Sequence, residues 1–332
     1  MKHRPGTVFD RIFPTWTPSI RAENGISELR KGSINGTELA VMIRGSNRNN
    51  PAVLFVHGGP CCSEIPYART YQKQLEQDFV TVHYDQRGSG KSYEFGRDYS
   101  SVTAATHVSD LIALSEYIKD YLGAEKLILI GHSYGTYLAT QAAAQRPDLY
   151  RAYIGIGQMA DTRESETITL KKCLAAAEQS KHKKDVAELK RLEPSVQKGE
   201  ALLPRTYVHK YGFAARNINE QADYRKGFLF APEYNPADII RFYTASAKYQ
   251  AALAAEALRV PISDLVSELN LPVWFVMGKH DGMTAPEAAE NYLHRLGGTG
   301  TRGFLLYENS AHYPQFEEKD RFSRWMKETF HS

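Results

Sequence analysis

Apolar residues gather in short runs along the chain, at Ala52–Val56, Phe79–Tyr84, Leu127–Ile130, Ala152–Ile156, Val273–Met277 and Phe304–Tyr307. Short apolar runs of this kind suit strands buried on both faces of a parallel sheet. Helical spacing fills most of the gaps, over Ser63–Gln77, Val102–Leu122, Tyr134–Arg146 and Ala285–Leu296. Pro147 stops the third of these, because proline neither donates to nor fits a helix interior. Ile26–Ile43 reads differently: Asn35-Gly36 lies between two β-rich runs, the signal of a type I′ hairpin. The chain is therefore expected to open with antiparallel strands and to continue as a mostly parallel sheet with helices on both faces.

The alternation stops between Ala160 and Leu269. Helical patterns run over Glu164–Leu192 and Pro236–Leu258, with turn signals at Glu193-Pro194 and Pro232-Glu-Tyr-Asn-Pro236. This predicts a helical cap at residues 161–269, inserted into a core made of residues 1–160 and 270–332. Lys171, Lys172, Lys181, Lys183, Lys184 and Lys190 alternate with acids there, as on a solvated helix face.

Composition narrows the possible partners. With 332 residues, 42% of them hydrophobic, the chain can bury a full core. Forty-one basic against 38 acidic side chains leave a net charge of +3, too small to imply a nucleic-acid or anionic-membrane partner. Met1-Lys-His-Arg-Pro5 is basic, but Phe9-Asp-Arg-Ile-Phe-Pro14 lacks the apolar region of a signal peptide, and no apolar run approaches a membrane span. The expected location is the cytoplasm. Cys61, Cys62 and Cys173 suggest neither a disulfide framework nor a zinc site, and are expected to be reduced.

The chemistry centres on Leu127-Ile-Leu-Ile-Gly-His-Ser-Tyr-Gly-Thr136, an apolar run entering G-H-S-Y-G and then a small-residue helix. The pattern resembles the nucleophile elbow of the α/β-hydrolases, in which a sharp strand-to-helix turn points the serine hydroxyl away from the sheet. Gly131 and Gly135 flank Ser133 where a Cβ would collide with the turn, and Ser133 becomes the candidate nucleophile. A serine needs a base oriented by an acid, and in this fold the order along the chain is Ser, acid, His. Leu271–Asp281 is a strand ending in a loop acid, and Phe304–His312 a strand ending in a loop histidine. Asp281 and His312 take those roles, with Asp161, which also follows a strand, as the alternative acid.

Val53-Leu-Phe-Val-His-Gly-Gly-Pro-Cys61 runs from a strand into a Gly-rich loop. An oxyanion hole needs two aimed N–H groups, one from the residue after the nucleophile and one from such a loop. Tyr134 supplies the first and Gly59 the second, Pro60 having no N–H. Gly88-Ser-Gly-Lys-Ser92 resembles the end of a phosphate-binding loop, but Asp85 stands where that motif needs glycine, so nucleotide binding is rejected. Asp85 and Arg87 are expected to brace their loop. His57, His132 and His280 lack metal-ligand spacing and are read as supporting or packing residues.

H-G-G-P at His57–Pro60, D-Q-R-G-S-G-K-S at Asp85–Ser92, G-H-S-Y-G at Gly131–Gly135, G-K-H-D at Gly278–Asp281 and the His312 segment together resemble the proline iminopeptidase branch of the α/β-hydrolases, the S33 serine peptidases. The resemblance spans about Ile26 to Phe316 and is weak through the cap. It implies removal of an N-terminal residue, often proline, from small peptides, with no metal or organic cofactor. It also implies cap carboxylates that hold the substrate ammonium, for which Glu64, Glu164, Glu166 and Glu233 are the candidates. This chain departs from the family in having Cys61 where H-G-G-P-G is usual and Tyr134 where Trp is usual. The alternatives are a carboxylesterase or lactonase using the same triad on a small acyl substrate, and a non-catalytic binding protein on the same fold.

Overall fold

The computed structural model describes residues 14–331. The basic start Met1–Pro5 and all of Phe9–Pro14 but its final proline lie outside them. One sheet holds β1 (Ile26–Ile34), β2 (Thr37–Gly45), β3 (Ala52–Val56), β4 (Val80–Tyr84), β5 (Leu127–His132), β6 (Tyr150–Ile156), β7 (Val273–Gly278) and β8 (Arg302–Tyr307), in the order β1-β2-β4-β3-β5-β6-β7-β8. The first two strands pair antiparallel across Asn35 and Gly36, whose φ values of 45° and 72° are those a type I′ turn requires. β2 also pairs antiparallel with β4, and from β4 across to β8 every further pairing is parallel.

The central strands are apolar throughout because both of their faces are covered. Along β5, Leu127 and Leu129 join one buried cluster while Ile128 and Ile130 join another. The first cluster packs the helices Ala104–Leu122, Tyr134–Gln145 and Pro286–Arg295 against the sheet, through Leu111, Leu138 and Tyr292 among others. The second packs Phe322, Met326 and Phe330 of the helix Lys319–Phe330 against the opposite face.

Between β6 and β7 the chain forms six helices among the described residues: Thr162–Gln179, Lys183–Gln197, Arg205–Lys210, Glu220–Phe230, Pro236–Arg259 and Ile262–Leu265. The pattern expected over Glu164–Leu192 is broken in two at the exposed Ser180–His182, where Lys181 has a φ of 58°. The two helices fold back and bury Leu170, Cys173 and Ala177 with Leu189 and Val196. Glu193-Pro194 is not a turn, because Pro194 lies inside the helix Lys183–Gln197. Val196, two residues beyond the proline, is fully buried in that cluster, and its packing carries the helix through. The region expected as one helix over Ser63–Gln77 is likewise two, Ile65–Gln72 and Leu75–Asp78. Among the described residues no helix is long and apolar enough to cross a membrane.

Candidate active site

β5 ends at His132 and the next helix begins at Tyr134, so Ser133 is itself the turn. Its φ of 55° and ψ of −125° lie outside the ordinary regions for an L-residue. The Ser133 N–H donates to the Ile156 carbonyl of β6 at 2.9 Å, which fixes the turn to the sheet. The following helix closes up against the sheet because Gly135 has no side chain. A Cβ there would stand 1.9 Å from the Val56 carbonyl oxygen, so the collision lies with the end of β3 rather than with the turn.

Asp281 and His312 sit in the loops after β7 and β8, both buried. The N–H groups of Met283 and Thr284 donate to Asp281 Oδ1 at 2.8 and 2.9 Å, and the Thr284 hydroxyl donates to Oδ2 at 2.9 Å. With its carboxylate so held, Asp281 Oδ2 stands 2.8 Å from His312 Nδ1. A carboxylate there places the ring proton on Nδ1 and leaves Nε2 as an acceptor. Nε2 is buried and has no hydrogen-bond partner among the described residues. Asp161 is elsewhere, capping the helix Thr162–Gln179 through the Glu164 N–H at 2.9 Å. Ser133 and His312 line one cavity of about 770 Å³, with Gly58, Gly59, Pro60 and Tyr134 along its wall.

The model of the alpha/beta hydrolase fold family matches residues 51–319. The chain belongs to that family. A Bacillus subtilis (strain 168) protein named "Probable aminopeptidase" is 33% identical over 312 residues, covering 92% of this chain and 97% of its own. An epoxide hydrolase of Caballeronia sordidicola is 24% identical over 312 residues, covering 88% of this chain and 90% of its own. A proline iminopeptidase of Saccharolobus solfataricus is also 24% identical, over 315 residues and 93% of each chain. This hydrolase therefore has relatives named for peptide and for epoxide chemistry, and its likeness to the proline iminopeptidases extends beyond the short motifs.

The acids considered for ammonium binding separate once their partners are known. Glu164 is partly exposed, does not line the cavity and accepts a hydrogen bond from Asn291 at 2.7 Å. Glu233 is buried away from the cavity, between Thr17 at 2.8 Å and Arg69 at 3.1 Å. Glu166 does line the cavity, but Arg205 neutralises it at 2.6 Å and the Leu203 N–H donates to it at 2.7 Å. Glu64 also lines the cavity, its Oε1 2.7 Å from His132 Nδ1. A further cavity acid, Glu220, has His209 as its ion-pair partner, at 3.1 Å. Nothing in the sequence marks it, since an acid in the first turn of a helix is also explained by the helix dipole.

The remaining motif residues brace the loops of the hydrolase. Asp85 accepts from the Lys91 N–H at 2.6 Å, from the Tyr234 hydroxyl at 2.6 Å and from Ser63. Burial nevertheless pushes its carboxyl up to about 6. Arg87 forks onto Asp110 at 2.6 and 2.7 Å. Cys61 takes a φ of 66° at the position where the family pattern has glycine, which explains that preference in the pattern. Burial pushes the Cys61 and Cys62 thiols up to about 12, so both are protonated at neutral pH and poor nucleophiles.

Proposed function

We propose that this α/β-hydrolase is a serine hydrolase that releases the N-terminal residue, proline foremost, from short peptides. The observation that carries the reading is His312, bonded to Asp281 at one ring nitrogen and unpartnered at the other, in the same cavity as a serine held on a strained turn. In this mechanism Ser133 Oγ attacks the scissile carbonyl while His312 Nε2 takes its proton. Asp281 holds the ring and stabilises the imidazolium that forms. The N–H groups of Tyr134 and Gly59 receive the oxyanion. His312 then gives its proton to the leaving amine, and water, activated by the same ring, releases the acyl group. A serine at the elbow argues against the epoxide-opening chemistry of one relative, which requires an aspartate nucleophile.

The aminopeptidase part rests on the 33%-identical relative and on the cavity. A buried ammonium needs a carboxylate partner. Of the cavity acids Glu166 carries Arg205 and Glu64 is fully buried against His132, whereas Glu220 is partly exposed and faces a partly exposed His209, so Glu220 is our choice for that role. One observation favours an esterase instead: all three cavity acids named, Glu64, Glu166 and Glu220, already have a partner within the protein.

Turnover of proline p-nitroanilide, its N-acetyl form and a series of p-nitrophenyl acyl esters tests the reading. Hydrolysis of the free-amine anilide with loss of activity on acetylation is expected. Equal turnover of both anilides rules out amine recognition, and a strong preference for the esters selects the esterase.

A further inference from the structure

His132 immediately precedes Ser133, yet its side chain turns toward the other half of the site. Its Nδ1 lies 2.7 Å from Glu64 Oε1 and its Nε2 lies 3.0 Å from the backbone carbonyl oxygen of His312. All three residues are buried, and the two imidazole rings are 5.0 Å apart. Glu64 stands at the start of the helix Ile65–Gln72, a few residues after Gly58 and Gly59. A chain of two hydrogen bonds thus joins the loop after β3, the turn after β5 and the loop after β8.

We propose that Glu64 and His132 are positioning residues of this hydrolase, a carboxylate–imidazolium pair that holds the His312 loop against the Ser133 turn. The proposal rests on the serine-hydrolase reading above. Both atoms facing the His132 ring are acceptors, so with Glu64 ionised each ring nitrogen must carry a proton. The pair then contains opposite charges that cancel, which makes its burial tolerable.

Its neighbours support this protonation. His57 faces the ring system from the end of β3, with Nδ1 against the Gly58 carbonyl at 3.0 Å and Nε2 accepting from the Gln86 N–H at 3.1 Å, so it is neutral. Burial pushes His57 down to about 4, and His83 of β4 likewise. For His132 burial acts in the same direction, but the hydrogen bond and charge of Glu64 outweigh it and raise its pKa. Burial works to raise Glu64, and the hydrogen bond and charge of His132 reverse that. Asp281 and His312, from the loops after β7 and β8, and the Tyr313 ring at 5.0 Å complete the surroundings. When pH rises through the elevated pKa of His132, one N–H remains for two acceptors and the tie is broken.

The test measures kcat, KM and the pH profile of Glu64→Leu, His132→Leu and the double variant, on whichever chromogenic substrate the enzyme turns over. Each single change is expected to lower kcat on the order of 100-fold with KM little altered, as a small misplacement of a catalytic group does. The double variant should be no worse than the singles, and the alkaline limb of kcat that the wild type owes to His132 should be absent from Glu64→Leu. Wild-type kcat in either folded single variant overturns the proposal. Ring 15N NMR of the wild-type protein gives an independent check: a doubly protonated His132 is expected at neutral pH, and a neutral ring overturns the proposal even if the variants do not fold. Ser133→Ala separates the two ideas. Activity surviving that change defeats the serine mechanism itself, whereas activity lost there but kept in the Glu64 and His132 variants defeats only the positioning role.

Discussion

In the proposed mechanism Ser133, His312 and Asp281 act as a unit. Replacing Ser133 by Ala is expected to lower kcat about a million-fold, and adding His312→Ala should then cost little more; a single-turnover assay on the purified variants checks both. Asp281→Asn keeps the size of the side chain but lets the His312 ring adopt the wrong tautomer. A loss of about ten-thousand-fold in kcat is expected, with the melting temperature nearly unchanged. Gly157 offers a steric probe of the same ring, because a Cβ at that residue would lie 2.8 Å from His312 Cε1. Its φ of 53° adds backbone strain. Gly157→Ala should therefore reduce kcat on the order of 100-fold, and steady-state kinetics showing wild-type turnover would refute this. These side chains were legible in the sequence because each follows a recognisable strand. The Glu64–His132 link was not, since only the folded chain brings residues so distant in sequence together. Glu220 was hidden for the opposite reason, its local setting being ordinary.

Among the elements, the helix Lys183–Gln197 shows where local signals fail. Pro194 removes a backbone donor inside it, yet burial of Leu189 and Val196 outweighs that loss. Pro194→Ala should stabilise the protein by about 2 kcal/mol, the helix gain less the added freedom of the unfolded chain. Urea unfolding will measure it. The strand runs were read within a residue or two because burial on both faces leaves an uninterrupted apolar signal, whereas the cap helices are patterned against one another and their breaks depend on tertiary packing. The loop after β4 is tied to the helix Pro236–Arg259 by Lys91 and Asp238 at 2.5 Å, with Asp85 bonding the Lys91 N–H and Tyr234. Asp85 has a folded pKa of about 6, above its ordinary value, so the folded protein binds its proton more tightly than the unfolded chain. Its contribution to stability is full at acidic pH and declines as pH rises from about 4 to about 6, on the order of 3 kcal/mol in all. Wild type should lose stability relative to Asp85→Asn across that interval, as chemical denaturation at a series of pH values will show.

For the whole molecule, the cavity of about 770 Å³ is the size of a small-ligand site. If Glu220 holds the substrate amine, Glu220→Gln should raise KM for a free-amine substrate at least tenfold while leaving p-nitrophenyl ester hydrolysis unchanged. Parallel kinetics on the two substrate types check this, and an equal loss on both would count against the role. β6 and β7 are hydrogen-bonded neighbours, with Tyr153 opposite Val273. The chain from Gly157 to Pro272 consequently departs from the sheet and rejoins it at adjacent points. Insertions or deletions between those points leave the strand spacing unaltered, while Ser133, Asp281 and His312 stay on the turns and loops that follow β5, β7 and β8, outside the departing segment. Under the proposed mechanism, therefore, the residues that would choose the substrate can change in number as well as kind, provided the backbone carbonyls of Phe213 and Ala214 go on receiving the N–H groups of Gly282 and His312.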